Sequence, residues 1–429
     1  MINDYSCVVS IAWRRRFSQI ALTVGLVVSI SPPVAGKIDP TSWTHFTIAD
    51  RLPGSAWGTG GIPLADFDGD GDLDISLSRR ETKTAYWFRR VDDSKWVRHT
   101  IGVHDTLDKQ LGATQIDCDL DGWVDAVYSR VWFKNPGNLA ANPHAPWKAQ
   151  SYSGEGHDIL CGDVNADGRA DVLAYDGESV SWYDAARGMK QTVIGGVGKN
   201  HGGTAPGGIG DLDGDGDNDV VIPGYWFANP GSANGAWKHY AWPHLAVRNA
   251  SYGTSMRCWV ADINKDGLND IVYSDCDTGH SHVYWVRNRN KGTDWTRHQL
   301  PDPPTAAGDI SGTGSFHSLG VADFDRDGDL DIFAGEQEDP DTYMTNSGKL
   351  AMKPVGFKER GVIWENSGSA IPSFTPIVIH IDNPGWHDAV LGDVDGDGDI
   401  DIVTKVWHKD GTSYHADYWR NDIDVVNGR

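Results

Sequence analysis

The sequence predicts an all-β fold, a seven-bladed β-propeller of four-stranded blades, from three observations. A nine-residue phrase, D-x-[D/N]-x-D-G-x-x-D, occurs seven times, opening at Asp66, Asp117, Asp163, Asp211, Asp262, Asp323 and Asp393. Its copies begin 51, 46, 48, 51, 61 and 70 residues apart, the length of a four-stranded blade with some insertions. An aromatic strand follows each copy in step, centred on Trp87, Trp132, Trp182, Trp226, Trp285, Trp364 and Trp419.

The elements of each unit follow in order. The last Asp of every phrase leads directly into apolar β-formers such as Ile75, Val127-Tyr128, Val220-Val221-Ile222 and Ile402-Val403, so the phrase joins the first two strands of a hairpin. The tryptophan-centred segment is the third strand. A fourth is marked by Trp96, Trp147, Trp237 and Trp295, and, out of order, by Trp43. The segment Trp43 to Ile48 reads like Trp96 to Ile101, yet no phrase precedes it, and the last unit lacks an outer strand of its own. The N-terminal strand is therefore expected to complete the last blade and close the ring, which removes exposed sheet edges.

The phrase also predicts a cation. Oxygen ligands at positions 1, 3, 5 and 9 can curl around an ion because the glycine at position 6 permits the sharp turn. Calcium suits such a loop better than magnesium, and the acid at position 9 rather than 12, leading into a strand, excludes an EF-hand. The predicted ligands are Asp66, Asp68, Asp70 and Asp74; Asp117, Asp119, Asp121 and Asp125; Asp163, Asn165, Asp167 and Asp171; Asp211, Asp213, Asp215 and Asp219; Asp262, Asn264, Asp266 and Asp270; Asp323, Asp325, Asp327 and Asp331; and Asp393, Asp395, Asp397 and Asp401. Up to seven structural Ca²⁺ ions are expected.

Composition agrees with this architecture. Fifty-one glycines and 19 tryptophans among 429 residues suit short strands, many turns and blades packed by large aromatic rings. The formal charge of −23 has a local cause, since 26 of the 28 predicted ligands are aspartates, and it argues against nucleic acid as a partner. Residues 1–36 read as an export signal: Arg14-Arg15-Arg16, an apolar run from Ile20 to Ile30, and a small-residue exit at Val34-Ala35-Gly36. The expectation is a secreted or periplasmic protein with no stable membrane span in the mature chain, and one propeller domain over residues 37–429. Cys118, Cys161, Cys258 and Cys276 remain after that segment. Cys258 and Cys276 lie in one predicted hairpin and could bridge it, against the alternative of four buried free thiols.

With these loops read, residues 37–429 resemble the FG-GAP/VCBS repeat β-propellers, the group that includes the integrin α-subunit head and many secreted bacterial proteins. The resemblance implies calcium in the hairpin loops, position by position as given above, with Asn165 and Asn264 as mild departures that keep an oxygen. Within that group the chain looks like the exported ulvan-type polysaccharide lyases and the propeller of aldos-2-ulose dehydratase, both of which act on sugars by elimination. That likeness is one of architecture and of a histidine-rich face.

The face opposite the Asp phrases is where loops enter each first strand around the channel. His157, His317 and His387 each stand six residues before a phrase, with His201 and Tyr252 a little further upstream in units four and five. Gly60, Leu111, Ala205 and Met256 fill the matching place in the other units, so the fold does not require histidine there. Asp158 and Asp388 follow two of these histidines directly, placed to orient an imidazole or ligate a metal.

Two chemistries use such a cluster. For β-elimination on a uronate glycan, His157, His201 and Tyr252 supply base and acid while Arg257 neutralises the carboxylate. For a metal-dependent dehydratase or isomerase, His157, His317 and His387 bind Zn²⁺ or another transition metal. Trp57, Trp242, Trp386 and Trp407 are candidates for stacking on a sugar, and Arg79, Arg80, Lys405, His408 and His415 for binding an anionic one. A polysaccharide or oligosaccharide is thus the expected partner, with a non-catalytic glycan- or protein-binding propeller as the alternative. Serine-hydrolase, phosphate-loop and paired-glutamate readings find no support, because the Gly-rich runs precede strands and the Asp clusters are already assigned.

Overall fold

The structure is a computed structural model that describes residues 37–54, 58–109, 111–232, 235–244, 248–249, 253–278, 280–305, 311–337, 343–345, 348–350, 357–382, 386–407 and 414–423. The predicted export signal lies outside them, as do Trp57, Tyr252 and His408. Among the described residues, no helix is long and apolar enough to cross a membrane.

Seven antiparallel blades are present. Blade 1 runs through Leu64–Ala65, Asp74–Arg79, Thr84–Asp92 and Lys95–Val103, and blade 2 through Ala113–Ile116, Asp125–Tyr128, Val131–Lys134 and Lys148–Ser151. Blade 3 follows at Asp158–Gly162, Asp171–Tyr175, Val180–Asp184 and Lys190–Gly195, and blade 4 at Ile209–Gly210, Asp219–Ile222, Tyr225–Ala228 and Lys238–Ala241. Blade 5 holds Gly253–Ala261, Asp270–Asp275, Val283–Asn288 and Trp295–Gln299. Blade 6 holds Phe316–Ala322, Asp331–Glu336, Arg360–Asn366 and Phe374–Ile381, with the hairpin Tyr343–Thr345/Gly348–Leu350 accounting for its extra length.

Blade 7 shows the closure expected from the displaced tryptophan. Its strands Asp388–Gly392, Asp401–Lys405 and Ala416–Asn421 are completed by Trp43–Ala49, which pairs antiparallel with the last of them from Trp43 opposite Asn421 to Ala49 opposite Ala416. First and last segments of the chain thus share one sheet.

Packing explains why the second strands are continuous apolar runs rather than alternating ones. Each lies between two neighbouring blades and is buried on both faces, as in Asp125–Tyr128 and Asp219–Ile222. One apolar cluster fills each interface, seven in all among the described residues. Between blades 1 and 2, for example, Trp87 and Phe67 meet Tyr128, Phe133 and Trp147, and between blades 6 and 7 Phe333 and Ile363 meet Trp386, Ile402 and Trp419. Burying each such side chain contributes roughly 1.5–3 kcal/mol. Cys118, Cys258 and Cys276 are buried free thiols, Cys118 and Cys258 within these interfaces, so the Cys258–Cys276 bridge, one of the two alternatives, does not form.

A recurring asparagine joins neighbouring blades. Asn135, Asn229, Asn288, Asn366 and Asn421 end the third strands of blades 2, 4, 5, 6 and 7. Each donates its backbone N–H to the ninth-position Asp of its own loop, at 2.7–2.9 Å. Each side-chain amide donates to the second-position carbonyl of the preceding blade's loop, from Phe67 for Asn135 to Phe324 for Asn421. The Asp loops are thereby bolted to one another around the ring.

Candidate functional site

Two polar regions occupy opposite ends of a central channel of about 1170 Å³, lined by the first strands of the blades. At one end are the Asp loops. In the first, Asp66 accepts the N–H groups of Gly69 and Gly71 at 2.7 and 3.1 Å, Asp68 that of Asp70, and Asp70 that of Asp72. These bonds curl the loop so that its carboxylates converge. The turn demands left-handed backbone at position 6, where Gly71 has φ +102°, and at position 4, where Leu120, Ala166, Lys265 and Arg326 adopt φ of 55–60° without being glycine.

Converging carboxylates raise one another. Burial, followed by neighbouring acids, pushes Asp325 up to about 7. Burial likewise lifts Asp125, Asp219 and Asp270 to about 7, Asp401 to about 8 and Asp331 to about 9, against the backbone N–H groups that hold them down. Oxygens of Asp68, Asp323, Asp325 and Asp393 are buried without a hydrogen bond. Ligand atoms of Asp66, Asp68 and Asp70, of Asp117, Asp119 and Asp125, and of Asp211, Asp213 and Asp219 lie within 4.8 Å of one another. An all-oxygen, anionic, under-satisfied donor set of this kind fits a hard divalent cation.

The other end gathers histidines. His157 Nδ1 lies 2.7 Å from Asp158 Oδ1, and Asp158 Oδ2 accepts the backbone N–H groups of Gly203, Thr204 and Ala205 at 2.7, 2.8 and 3.0 Å. Those three residues belong to a strap between blades 3 and 4. Its Asn200–His201 and Pro206–Gly207 pair in parallel with the long first strand of blade 5, which sets the His201 ring 4.3 Å from that of His157. Gly202 is required where the strap passes the dyad: a Cβ there would stand 2.6 Å from His157 Nδ1, and its φ is +76°.

Arg257 ties the dyad to blades 6 and 7. Its Nε donates to the His317 carbonyl at 2.8 Å, Nη2 to Asp388 Oδ1 at 2.8 Å, and Nη1 lies 3.6 Å from Asp158 Oδ1. Lys405 Nζ lies 2.6 Å from Asp388 Oδ2 and 3.3 Å from His387 Nδ1. The His317 and His387 rings lie tilted against each other at 3.8 Å, and Trp407 stacks on His387 at 5.4 Å.

One tautomer follows from its hydrogen-bond partner. An ionised Asp158 can only accept, so His157 carries a proton on Nδ1 and turns Nε2 away from it. His387 Nδ1 lies between Lys405 Nζ, a donor at 3.3 Å, and Asp388 Oδ2, an acceptor at 3.4 Å. His317 Nδ1 likewise lies between the His387 carbonyl at 2.8 Å and Arg257 Nη2 at 3.0 Å. Burial, then the neighbouring cations and imidazoles, lowers His201 to about 4, His387 to about 3 and His317 well below the usual range, so all three are neutral near pH 7. Burial alone would raise Asp158 and Asp388. The His157 hydrogen bond and Arg257 outweigh it for the first, Lys405 and Arg257 for the second, and both are held below the carboxylate range.

Several expected contacts are redistributed. His157 packs against His201, while His317 packs against His387, so the trio His157, His317 and His387 divides between two pairs. Arg257 is buried, with its donors turned to Asp158, Asp388 and His317, and does not stand open to a carboxylate. Trp242 and Trp386 are core residues. Trp242 donates its indole N–H to Ile222 and Tyr225 carbonyls, and Trp386 stacks on Trp419 at 4.6 Å. Arg79 is buried, donating to the Pro53 and Gly58 carbonyls, and so secures a loop rather than facing ligand. Lys405 is buried beside Asp388, and His415 Nδ1 is bonded to Asp417 at 2.5 Å. Trp407 and Arg80 remain half-buried at the channel, the guanidinium 5.2 Å from the indole.

Three contributors had not been singled out. Asp277 is half-buried beside His317 and His201, whose protonated forms would offset its desolvation and hold it at about 2, while Ser255 donates to it at 2.5 Å. Ligand atoms of Cys276, Asp277 and His317 lie within 4.8 Å of one another, as do those of His317, His387 and Asp388. Gly202-Gly203 was the only sequence signal for the strap.

A family model described as an FG-GAP-like repeat matches residues 262–334, from the fifth Asp loop into the second strand of blade 6. No curated protein matches the chain in sequence. Solved structures with a similar chain path include an Agrocybe aegerita lectin described as recognising non-reducing terminal N-acetylglucosamine, at 15% identity and TM-score 0.48 over 76% of this chain and 81% of that one. Bap1, a Vibrio cholerae biofilm matrix protein, is similar at 10% identity and TM-score 0.43 over 88% and 90%. A Penicillium chrysogenum α-L-arabinanase is similar at 12% identity and TM-score 0.39 over 88% and 98%. Likeness this distant carries no argument about chemistry, and the class defined here is that of a seven-bladed propeller in which residues 262–334 match an FG-GAP-like repeat.

Proposed function

We propose that the histidine mouth is the active site of an exported carbohydrate lyase acting by β-elimination on an anionic, uronate-containing glycan. The observation that carries this reading is the His157–Asp158 dyad at the channel mouth, with a second, neutral imidazole at the same mouth. Asp158 engages Nδ1 of His157, so Nε2 is its lone-pair nitrogen, and His387 lines the same channel. The His157 lone pair takes the proton α to the uronate carboxylate. The electron pair left behind forms the ring double bond as the β C–O bond breaks, and the imidazolium returns its proton to the departing oxygen. His387 steadies charge on the carboxylate as it becomes enolate-like, a role suited to a neutral imidazole. Arg257 acts as a positioning residue by holding Asp158 and Asp388, while Arg80 and Trp407 meet the flanking sugar through charge and stacking.

Incubation with a panel of uronate polysaccharides tests this directly. Ultraviolet absorbance of an unsaturated uronate is expected, reduced on the order of 10²-fold or more in His157→Ala. Silence across the panel removes the lyase reading and leaves a glycan-binding propeller.

A second reading, a metal-dependent dehydratase or isomerase, draws on the mixed donor sets around His317. Its Nδ1 is engaged by the His387 carbonyl and Arg257, its Nε2 lies 3.8 Å from Asp277 Oδ2, and Cys276, Asp277, His387 and Asp388 are buried or half-buried beside it. Zn²⁺ held there would polarise a sugar carbonyl or hydroxyl. Metal analysis after dialysis decides: zinc, manganese or iron bound stoichiometrically favours this reading, and calcium alone removes it. In either case calcium in the Asp loops supports the ring, and residues 1–36 direct export.

A further inference from the structure

The Asp loops are alike in sequence but not in what faces them. On the third strand of each blade, one residue stands opposite the ninth-position Asp, as the strand register defines. Ile75 pairs with Phe88, which sets Asp74 across from Arg89, and the same offset gives Lys134, Asp184, Ala228, Arg287, Glu365 and Arg420 in blades 2 to 7. Four of the seven are basic, and each reaches the loop. Arg89 contacts Asp68 and Asp70 at 2.7 and 2.8 Å, Lys134 contacts Asp119 and Asp121, Arg287 contacts Asp266 at 2.9 Å, and Arg420 lies 3.9 Å from Asp395. These cations sit on the third- and fifth-position carboxylates, two of the predicted ligands.

Blade 6 carries the opposite charge there. Glu365 is half-buried and stands across from Asp331 in the strand register. Asp325 is 3% exposed and has an oxygen with no hydrogen-bond partner among the described residues. Of the nearby cations, Lys265 pairs with Asp329 at position 7 and also feels Asp327 and Asp323, while the exposed Lys37 acts on Glu365; neither stands opposite the ninth aspartate on the third strand. Blade 5 is the reverse case. Asn264 removes one charge and Arg287 offsets another, leaving the least negative loop of the seven.

We propose that the residue opposite the ninth aspartate grades the loops, so that Glu365 is an added carboxylate making the sixth the tightest calcium site and Arg287 makes the fifth the weakest. This rests on the calcium reading of the loops and adds an order to it. Affinity in flexible oxygen sites follows ligand charge, and a cation placed on two ligands must be displaced before the ion enters.

The test is a calcium titration of the folded full-length chain against a chromophoric chelator. Wild type should show sites spread over at least two affinity classes. Glu365→Gln should weaken the tightest step on the order of tenfold with the number of sites unchanged, and Arg287→Gln should tighten the weakest several-fold. Ala228→Arg, which places a cation opposite Asp219, should convert the fourth site to a weak one and needs no loss of an existing contact. An unchanged tightest step in Glu365→Gln, or an unchanged fourth site in Ala228→Arg, overturns the grading while the calcium reading stands. A wild type that binds no calcium sinks both.

Discussion

The two ends of the channel hold the same residue type and drive it in opposite directions. Asp331, buried in the sixth loop, is pushed up to about 9, first by burial and then by Asp325 and Asp327. Asp388, half-buried at the histidine mouth, is held well below the carboxylate range because Lys405 and Arg257 more than offset its desolvation. The difference lies in the source of the countercharge. At the mouth the protein supplies its own cations, so the cluster is finished when the chain folds. In the loops the protein supplies cations to only some of the carboxylates, and on the proposed calcium reading the rest of the countercharge comes from solution.

Chelation should separate the two ends most strongly. Each ion bound at a hundredfold excess over its dissociation constant stabilises by about 2.7 kcal/mol, so stripping several should lower the melting temperature by ~10 °C or more. Calorimetry with and without a chelator measures it, and superimposable curves would abolish the contrast. Removing the internal cation tests the mouth. Arg257→Ala leaves the buried Asp158 and the half-buried Asp388 without their shared partner, and about 3–5 kcal/mol of stability should be lost with calcium present.

Asn421→Ala should have a smaller effect, about 1–3 kcal/mol by denaturant titration, because it strands the Phe324 carbonyl of the adjoining loop. An equal loss with and without calcium would show that the asparagine bolt is independent of the ions. Smallest of all, Arg80→Ala should move stability by less than about 0.5 kcal/mol, yet weaken binding of an anionic sugar in a direct assay. A stability loss as large as that of Asn421→Ala would make Arg80 a structural residue.

Sequence legibility followed the same division. The Asp phrase and its strands were readable because every blade repeats them, and so was closure, since Trp43 to Ile48 matched a strand missing elsewhere. The asparagine bolt was equally present in the text, in Asn135-Pro136-Gly137, Asn229-Pro230-Gly231 and the asparagines shortly after Trp285, Trp364 and Trp419, but its meaning depends on a partner in another blade. The histidines could be placed on one face by their offset from the loops. Which of them would pair, and that Trp242, Trp386 and Arg79 would be buried, could not, because those contacts join segments tens of residues apart.

By itself the sequence determined the number of blades, the seven acidic loops and the closing strand, because these arise from short-range patterns: a turn that needs glycine, a strand that needs apolar faces, a repeat that needs its complement. Tertiary structure alone decided which carboxylates acquire a resident cation and which do not. That depends on a guanidinium or ammonium brought within about 3 Å from another strand or another blade, and local sequence carries no record of such a distance.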